Sequence, residues 1–285
     1  MYFSNYHSHN TFCDGRSSME DFVKFAIAHH IRKYGFSSHA PLPFLTNWTM
    51  VADDYPDYEK EFYRLKEKYQ AEIELFLGLE IDFVLNCSDA GNAFFRDKKL
   101  DYAIGSIHYL DKIAENKYWS IDGPFAEFHA GLNLFCEGDI RQACRRFFEV
   151  TNMMLEKGGF DIVGHFDKIC FHARKYKDFK VTDKWFRDLV ITSLEIIKKK
   201  NFILEINTKS LPEHGITFPD ISFYDIINEL QIPVHVNSDC HYPTNVSVGF
   251  SETFLNLKEA GFKTMQQLHN GQWIPVEFDE SGLTG

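Results

Sequence analysis

Short apolar runs alternate along this chain with longer stretches in which apolar residues recur at helical spacing, a pattern that predicts βα units around a mainly parallel sheet. Strands are expected over residues 2–7, 33–37, 73–81, 102–107, 161–164, 202–206 and 233–237. Helices are expected over 18–30, 57–69, 139–157, 182–199 and 222–230, with a weaker period at 255–260. Ser17-Ser18-Met19-Glu20 carries the S-x-x-E pattern of a capping box, in which serine and glutamate satisfy opposite orphan groups of the first turn, so the first helix should begin there. Residues 111–138 mix glycine, proline and aromatics without a period, and the stretch is too long for an ordinary connection, so it reads as a functional insertion.

Composition narrows the class. The chain has 285 residues, 44% hydrophobic and 16% aromatic, and its 28 phenylalanines suit bulky packing between layers. That length fits one α/β barrel of about 200 to 250 residues plus insertions. With no linker or low-complexity tract in view, a single domain over 1–285 is expected. The net charge is -11, from 30 Lys and Arg against 41 Asp and Glu. Nucleic acid and anionic membranes both need a basic footprint, so neither is expected as a partner. The N-terminus lacks a basic region followed by an apolar run, and no stretch approaches the roughly 18 apolar residues of a membrane span, so a cytoplasmic protein is expected. Oligomeric state is not legible. The six cysteines (Cys13, Cys87, Cys136, Cys144, Cys170, Cys240) contain no C-x-x-C pair, which points to reduced thiols rather than a zinc ribbon or a disulfide framework.

The chemistry lies in where the histidines fall. His7, His9, His39, Glu80, His108, His165, Asp239 and His241 each sit at or just past the end of an expected strand. In a parallel barrel those ends converge on one face, so residues some 200 positions apart in sequence can meet at ligand distance. In His7-Ser8-His9 the two imidazoles at i and i+2 of extended backbone point to one side, and Asp239-Cys240-His241 repeats the arrangement with a carboxylate. Glu80 interrupts the apolar run Leu77-Gly78-Leu79-Glu80-Ile81, where a buried carboxylate needs a strong compensating charge such as a metal ion. Each residue alone has an ordinary reading: a core histidine is more often hydrogen-bonded than metallated, Asp14 before Gly15 can be a turn carboxylate, and Glu80 can be an ion-pair partner. Their joint placement on successive strand ends favours a metal site.

The motifs His7-x-His9, Ser37-Ser38-His39-Ala40-Pro41, Gly78-Leu79-Glu80, Gly105-Ser106-Ile107-His108, Gly164-His165-Phe166-Asp167 and Asp239-x-His241 resemble the polymerase and histidinol phosphatase (PHP) superfamily. Residues 101–109 and Leu204-Glu205-Ile206-Asn207-Thr208 look like its histidinol-phosphatase branch. The resemblance implies a distorted (β/α)7 TIM-like barrel with two or three divalent ions, Zn, Mn or Fe. It implies that His7, His9, Glu80 and Asp239 hold one ion, that Glu80 bridges to a second on His108 and His165, and that Asp14, His39 and His241 hold a third. The implied activity is hydrolysis of a small phosphomonoester by a hydroxide held among Glu80, His108, His165 and Asp239, with L-histidinol phosphate as substrate in histidine biosynthesis.

Arg174, Lys168, Lys209 and Arg16 are candidates for a phosphate clamp, each also readable as a solvated surface charge. Asp122 and Glu205 are candidates for the substrate's ammonium or imidazole. One departure concerns the clamp: the branch tends to follow the Asn-Thr pair with a small residue, glycine and a basic residue, whereas here Lys209-Ser210-Leu211 follows. Alternatives are a phosphoesterase for a nucleotide or sugar phosphate, a noncatalytic phospho-ligand sensor, and metal-dependent amide hydrolysis, the last lacking its expected bridging lysine. His29, His30, His129, His172, His214, His235 and His269 fall outside the motifs and read as structural or surface residues.

Overall fold

A computed structural model describes residues 1–284. Seven parallel strands, β1 (Phe3–Asn5), β2 (Ile31–Phe36), β3 (Glu74–Asp82), β4 (Tyr102–Ser106), β7 (Ile162–Val163), β8 (Ile203–Asn207) and β9 (Val234–Asn237), form one sheet in that order. The bridge between Ser8 and Cys240 and the hydrogen bond from Tyr6 N to Asn237 Oδ1 (2.8 Å) draw the first strand to the last, so the sheet nearly closes into the expected distorted barrel. All seven expected strands are present, each within two residues of its expected limits. Gly35 and Gly78 leave room for the Tyr102 side chain between strands, since a Cβ on either would lie within 2.5 Å of one of its atoms. The Tyr102 hydroxyl then donates to Tyr6 O at 2.6 Å.

The outer layer holds α1 (Met19–Ala28), α2 (Tyr55–Tyr69), the single turn α3 (Ala93–Arg96), α4 (Phe125–Cys136), α5 (Ile140–Lys157), the turn α6 (Cys170–Ala173), α7 (Lys184–Lys200), the turn α8 (Leu211–His214), α9 (Tyr224–Glu229) and α10 (Phe250–Glu259). The cap of α1 differs from the expected box by one residue. Ser18 is the N-cap, its Oγ accepting from Asp21 N–H at 3.2 Å and donating to Asp21 Oδ2 at 2.7 Å. The segment read as irregular holds two elements, a hairpin of β5 (Tyr109–Ala114) and β6 (Lys117–Ser120), then α4, which packs on β6 and α5 with Trp119, Phe128 and Leu132 buried.

A second hairpin, β10 (Thr264–His269) and β11 (Gln272–Asp279), extended by β12 (Gly282–Leu283), was not expected from periodicity. Its turn is Asn270-Gly271, both at positive φ, the chemistry of a tight two-residue hairpin. Leu268 and Trp273 of this hairpin pack with Tyr6, Phe76, Tyr102, Ile104, Ile162 and Ile203 in a cluster separate from the main core. No helix among the described residues is long and apolar enough to cross a membrane.

Candidate metal centre

The C-terminal ends of the strands carry the site. Glu80, fully buried on β3, stands at its middle. Its Oε1 faces His165 Nε2 at 2.8 Å and His108 Nε2 at 3.7 Å, while its Oε2 faces His39 Nδ1 at 2.8 Å, His7 Nε2 at 3.2 Å and His9 Nε2 at 3.6 Å. The two oxygens are thus divided between two sets of imidazoles, the arrangement a bridging carboxylate needs. Asp239 Oδ1 lies 3.1 Å from His9 Nε2 and 3.8 Å from His7 Nε2, and Asp14 Oδ1 lies 3.2 Å from His241 Nε2 and 3.7 Å from His39 Nε2.

Whether these residues suit metal can be judged from the atoms themselves. His7 Nε2, His9 Nε2, His39 Nδ1, Asp14 Oδ1 and Glu80 Oε2 are buried without hydrogen-bond partners, although several approach one another closely. Buried polar atoms are rarely left so, and a convergent set of them asks for a cation. Three groups have ligand atoms within 4.8 Å of one another: His9, Asp14, His39 and His241; His7, His9 and Asp239; and His39, Glu80 and His108. The nine residues expected to ligate metal therefore meet in one place, with His9 and His39 each shared between two groups and His165 reached through Glu80 Oε1.

Charge agrees with geometry. Burial pushes the Glu80 carboxyl up, but His7, His39, His108 and His165 together hold it well below the usual carboxylate range. Burial likewise opposes ionisation of Asp239, and Lys209, His7 and His9 overcome it. His108 shows the converse: burial pulls its imidazolium down, but Asp82, Glu80 and Asp122 push it up to about 10. The pocket is electronegative and draws positive charge. Two of its members, His165 at φ 23° and Asp239 at φ 47°, hold left-handed backbone, a strain that clusters at functional sites.

An outer ring orients the imidazoles. His7 Nδ1–H donates to Glu205 Oε1 at 2.6 Å, and His108 Nδ1–H donates to Asp82 Oδ1 at 2.7 Å, so in each ring Nε2 is free to face the centre. Glu205 also accepts from His165 N–H at 2.7 Å and from the amides of Asn207 and Asn237, both at 3.0 Å. It is fully buried with every oxygen engaged, so it stands behind the ligands rather than at the mouth where an ammonium would be met. Asp82 and Trp48 escaped sequence reasoning. Asp82 had a signal, since it lies two residues beyond Glu80 on the same strand face. Trp48 sits in an irregular loop with none.

The other expected substrate residues divide. A cavity of ≈ 320 Å³ opens beside Asp239 and His241 and is lined in part by Asp122, Lys168, Phe171, Lys209, Glu213 and Tyr242. Lys209 Nζ lies 3.2 Å from Asp239 Oδ1, and Lys168 Nζ lies 3.7 Å from Asp122 Oδ2. Asp122, delivered by the insertion, comes within 3.9 Å of His108 Nε2. Arg174 is not in this wall: it closes the turn α6 and is paired with Asp220, whose N–H donates to Asp167. Arg16 meets the site only through its backbone N–H, which donates to His241 O at 2.8 Å. Of the remaining histidines, His235 is buried with Nδ1 2.6 Å from Gln266 O, and His172 Nε2–H donates to Gly123 O at 2.8 Å, tying α6 to the insertion.

The sequence profile of the PHP domain matches residues 5–209, which contain most of this cluster. The chain belongs to the PHP family. Among PHP relatives, the chain is 24% identical over 275 residues to a Deinococcus radiodurans protein named "Probable histidinol-phosphatase", covering 92% of this chain and 95% of that one. It is 24% identical to the histidinol-phosphatase of Bacillus subtilis, over 87% of this chain and 97% of the relative. The PHP barrel is shared with the crystal structure of histidinol phosphate phosphatase from Lactococcus lactis, which holds zinc, L-histidinol and phosphate; the TM-score is 0.74 at 20% identity over 99% of both chains.

Proposed function

We propose that this chain is a metal-dependent phosphatase that hydrolyses L-histidinol phosphate to L-histidinol and phosphate, a cytoplasmic step of histidine biosynthesis. The observation that carries the reading is the division of the Glu80 oxygens between two sets of histidines, with five buried ligand atoms lacking partners, beside a cavity flanked by Lys168 and Lys209. His7, His9, Asp14, His39, Glu80, His108, His165, Asp239 and His241 would hold two or three divalent ions, with Zn, Mn and Fe suited to such nitrogen and oxygen donors. When bound, such ions polarise a phosphoryl group, lower the pKa of water and neutralise a leaving alkoxide. The histidinol-phosphatase names of the relatives, and the ligands of the Lactococcus structure, support the substrate.

The chain's own groups supply recognition. Lys168 and Lys209 face the cavity and meet the phosphate oxygens, the role that Arg174, paired to Asp220, leaves to them. Asp122 takes the ammonium: burial pushes its carboxyl up, but His108 and Lys168 hold it below its ordinary value, so it stays ionised. The test is phosphate release by metal-reconstituted protein from L-histidinol phosphate, a nucleoside monophosphate and a sugar phosphate, beside a His108→Ala control. Preference for L-histidinol phosphate, lost in the control, is the expected result. Release from another monoester alone would overturn the substrate, and no release from any would overturn the enzyme.

A further inference from the structure

His39 differs from His7 and His108 in one respect. His7 and His108 each spend one ring nitrogen on an outer carboxylate that fixes the ring, whereas both nitrogens of His39 face into the site, Nδ1 toward Glu80 and Nε2 toward Asp14. No ring atom is left for an outer hydrogen bond, so packing must set its plane. The His9 ring, with its centroid at 4.1 Å, supplies part of that packing and Trp48 the rest. Its indole meets the His39 ring edge-on, with centroids 4.5 Å apart at 85°, and meets the His108 ring at 5.2 Å and 64°. The indole is itself pinned from outside, its Nε1–H donating to the Tyr109 hydroxyl at 3.0 Å. Phe44, on the same loop, stacks on Tyr118 of the β5–β6 hairpin at 4.8 Å. Met50 N–H returns to His39 O at 3.0 Å and closes the loop on the ligand it covers.

We propose that Trp48, clasped by Tyr109, is a positioning residue that holds the His39 and His108 rings and shuts the solvent path to their side of the centre, so that the clasp sets how fast bound cations leave. The inference rests on the metal-centre reading and not on the identity of the substrate. Release requires the His39 ring to turn and water to reach Glu80 Oε2, and the indole blocks both. Removing the indole N–H or its acceptor loosens the same contact, so the two changes should not compound.

The experiment loads the full chain with zinc and follows transfer of Zn²⁺ to an excess of a chromophoric chelator, well below the melting temperature. Trp48→Ala should release its slowest zinc at least about tenfold faster than the unsubstituted protein. Trp48→Phe and Tyr109→Phe should fall between, and the double variant should be no faster than the faster single. Equal rates for all variants, within about twofold, would overturn the proposal, and multiplicative rates in the double variant would overturn the clasp. If Trp48→Ala does not fold, the two phenylalanine variants decide the matter alone. A chain that exchanges zinc as expected but hydrolyses no phosphomonoester would sink the phosphatase reading and leave this one standing.

Discussion

Replacing Glu205 with glutamine separates a positioning carboxylate from a substrate contact. All four partners of Glu205 are donors: His7 Nδ1 and the Asn237 amide on Oε1, His165 N–H and the Asn207 amide on Oε2. Glutamine offers one acceptor oxygen, and its amide must face two of those donors. Turning the amide toward Oε1 orphans His7 and Asn237. Turning it toward Oε2 orphans only His165 N–H, because the Asn207 amide also reaches Asp239 Oδ2 at 3.2 Å. The second orientation is cheaper. An orphaned buried donor costs about 1–3 kcal/mol, so Glu205→Gln should lose roughly 2 kcal/mol of stability. With the carboxylate charge gone from behind His7, zinc affinity should fall about 10- to 100-fold. Competition with a chelator of known affinity gives the binding constant, and kinetics at saturating cation give KM, which should stay within about twofold for the phosphomonoester. A large rise in KM at unchanged zinc affinity would refute this reasoning and restore Glu205 to the substrate.

Three further outcomes can be checked in parallel. Asp82→Asn should also lower zinc affinity about 10- to 100-fold, since the amide oxygen can still accept from His108 Nδ1–H but the charge that raises the basicity of the ring is gone; equilibrium competition measures it. Lys168→Met and Lys209→Met should each cost about 1.5–3 kcal/mol in kcat/KM, and Arg174→Met much less, because its partner is Asp220; steady-state rates decide. Stability should fall with acidification through His235: burial pulls its folded pKa down to about 4 from 6.5, against the pull of the Gln266 and Ser4 carbonyls. The unfolded chain therefore binds the extra proton between those values, and roughly 3 kcal/mol present above pH 6.5 is lost by about pH 4. Denaturant titrations of the unsubstituted protein and His235→Phe across that window should show a shallower slope for the variant.

The parallel strands from β3 onward were legible because they are short, mostly apolar runs buried on both faces, and the ligands were legible because they interrupt or end those runs. Depth was not. Glu205 lies between Leu204 and Ile206, and periodicity alone does not say whether such a carboxylate reaches the mouth or is sealed behind the first ligands. Lys168 and Arg174 are both basic residues after His165, yet a single turn of helix puts one in the cavity wall and the other against Asp220. The α4 helix was hidden by a sequence apolar nearly all round, and the β10–β11 hairpin by residues that alternate weakly, although Asn270-Gly271 marked its turn. Trp48 needed the fold, since its place over two imidazoles is set by contacts with the hairpin and by no local pattern.

The meeting of β1 with β9 carries a consequence for biogenesis. His7 and His9 follow the first strand of the sheet and Asp239 and His241 follow the last, yet they share two of the three candidate cation groups. A growing or prematurely ended chain can offer at most the His39, Glu80 and His108 group, and it does so with its barrel open and the Ser8–Cys240 seam unmade. The two groups that join His9 to Asp239 and to His241 thus form only when the ring has closed. A chain cut short of β9 would lack both of those groups, and chelator competition would tell it from the closed ring.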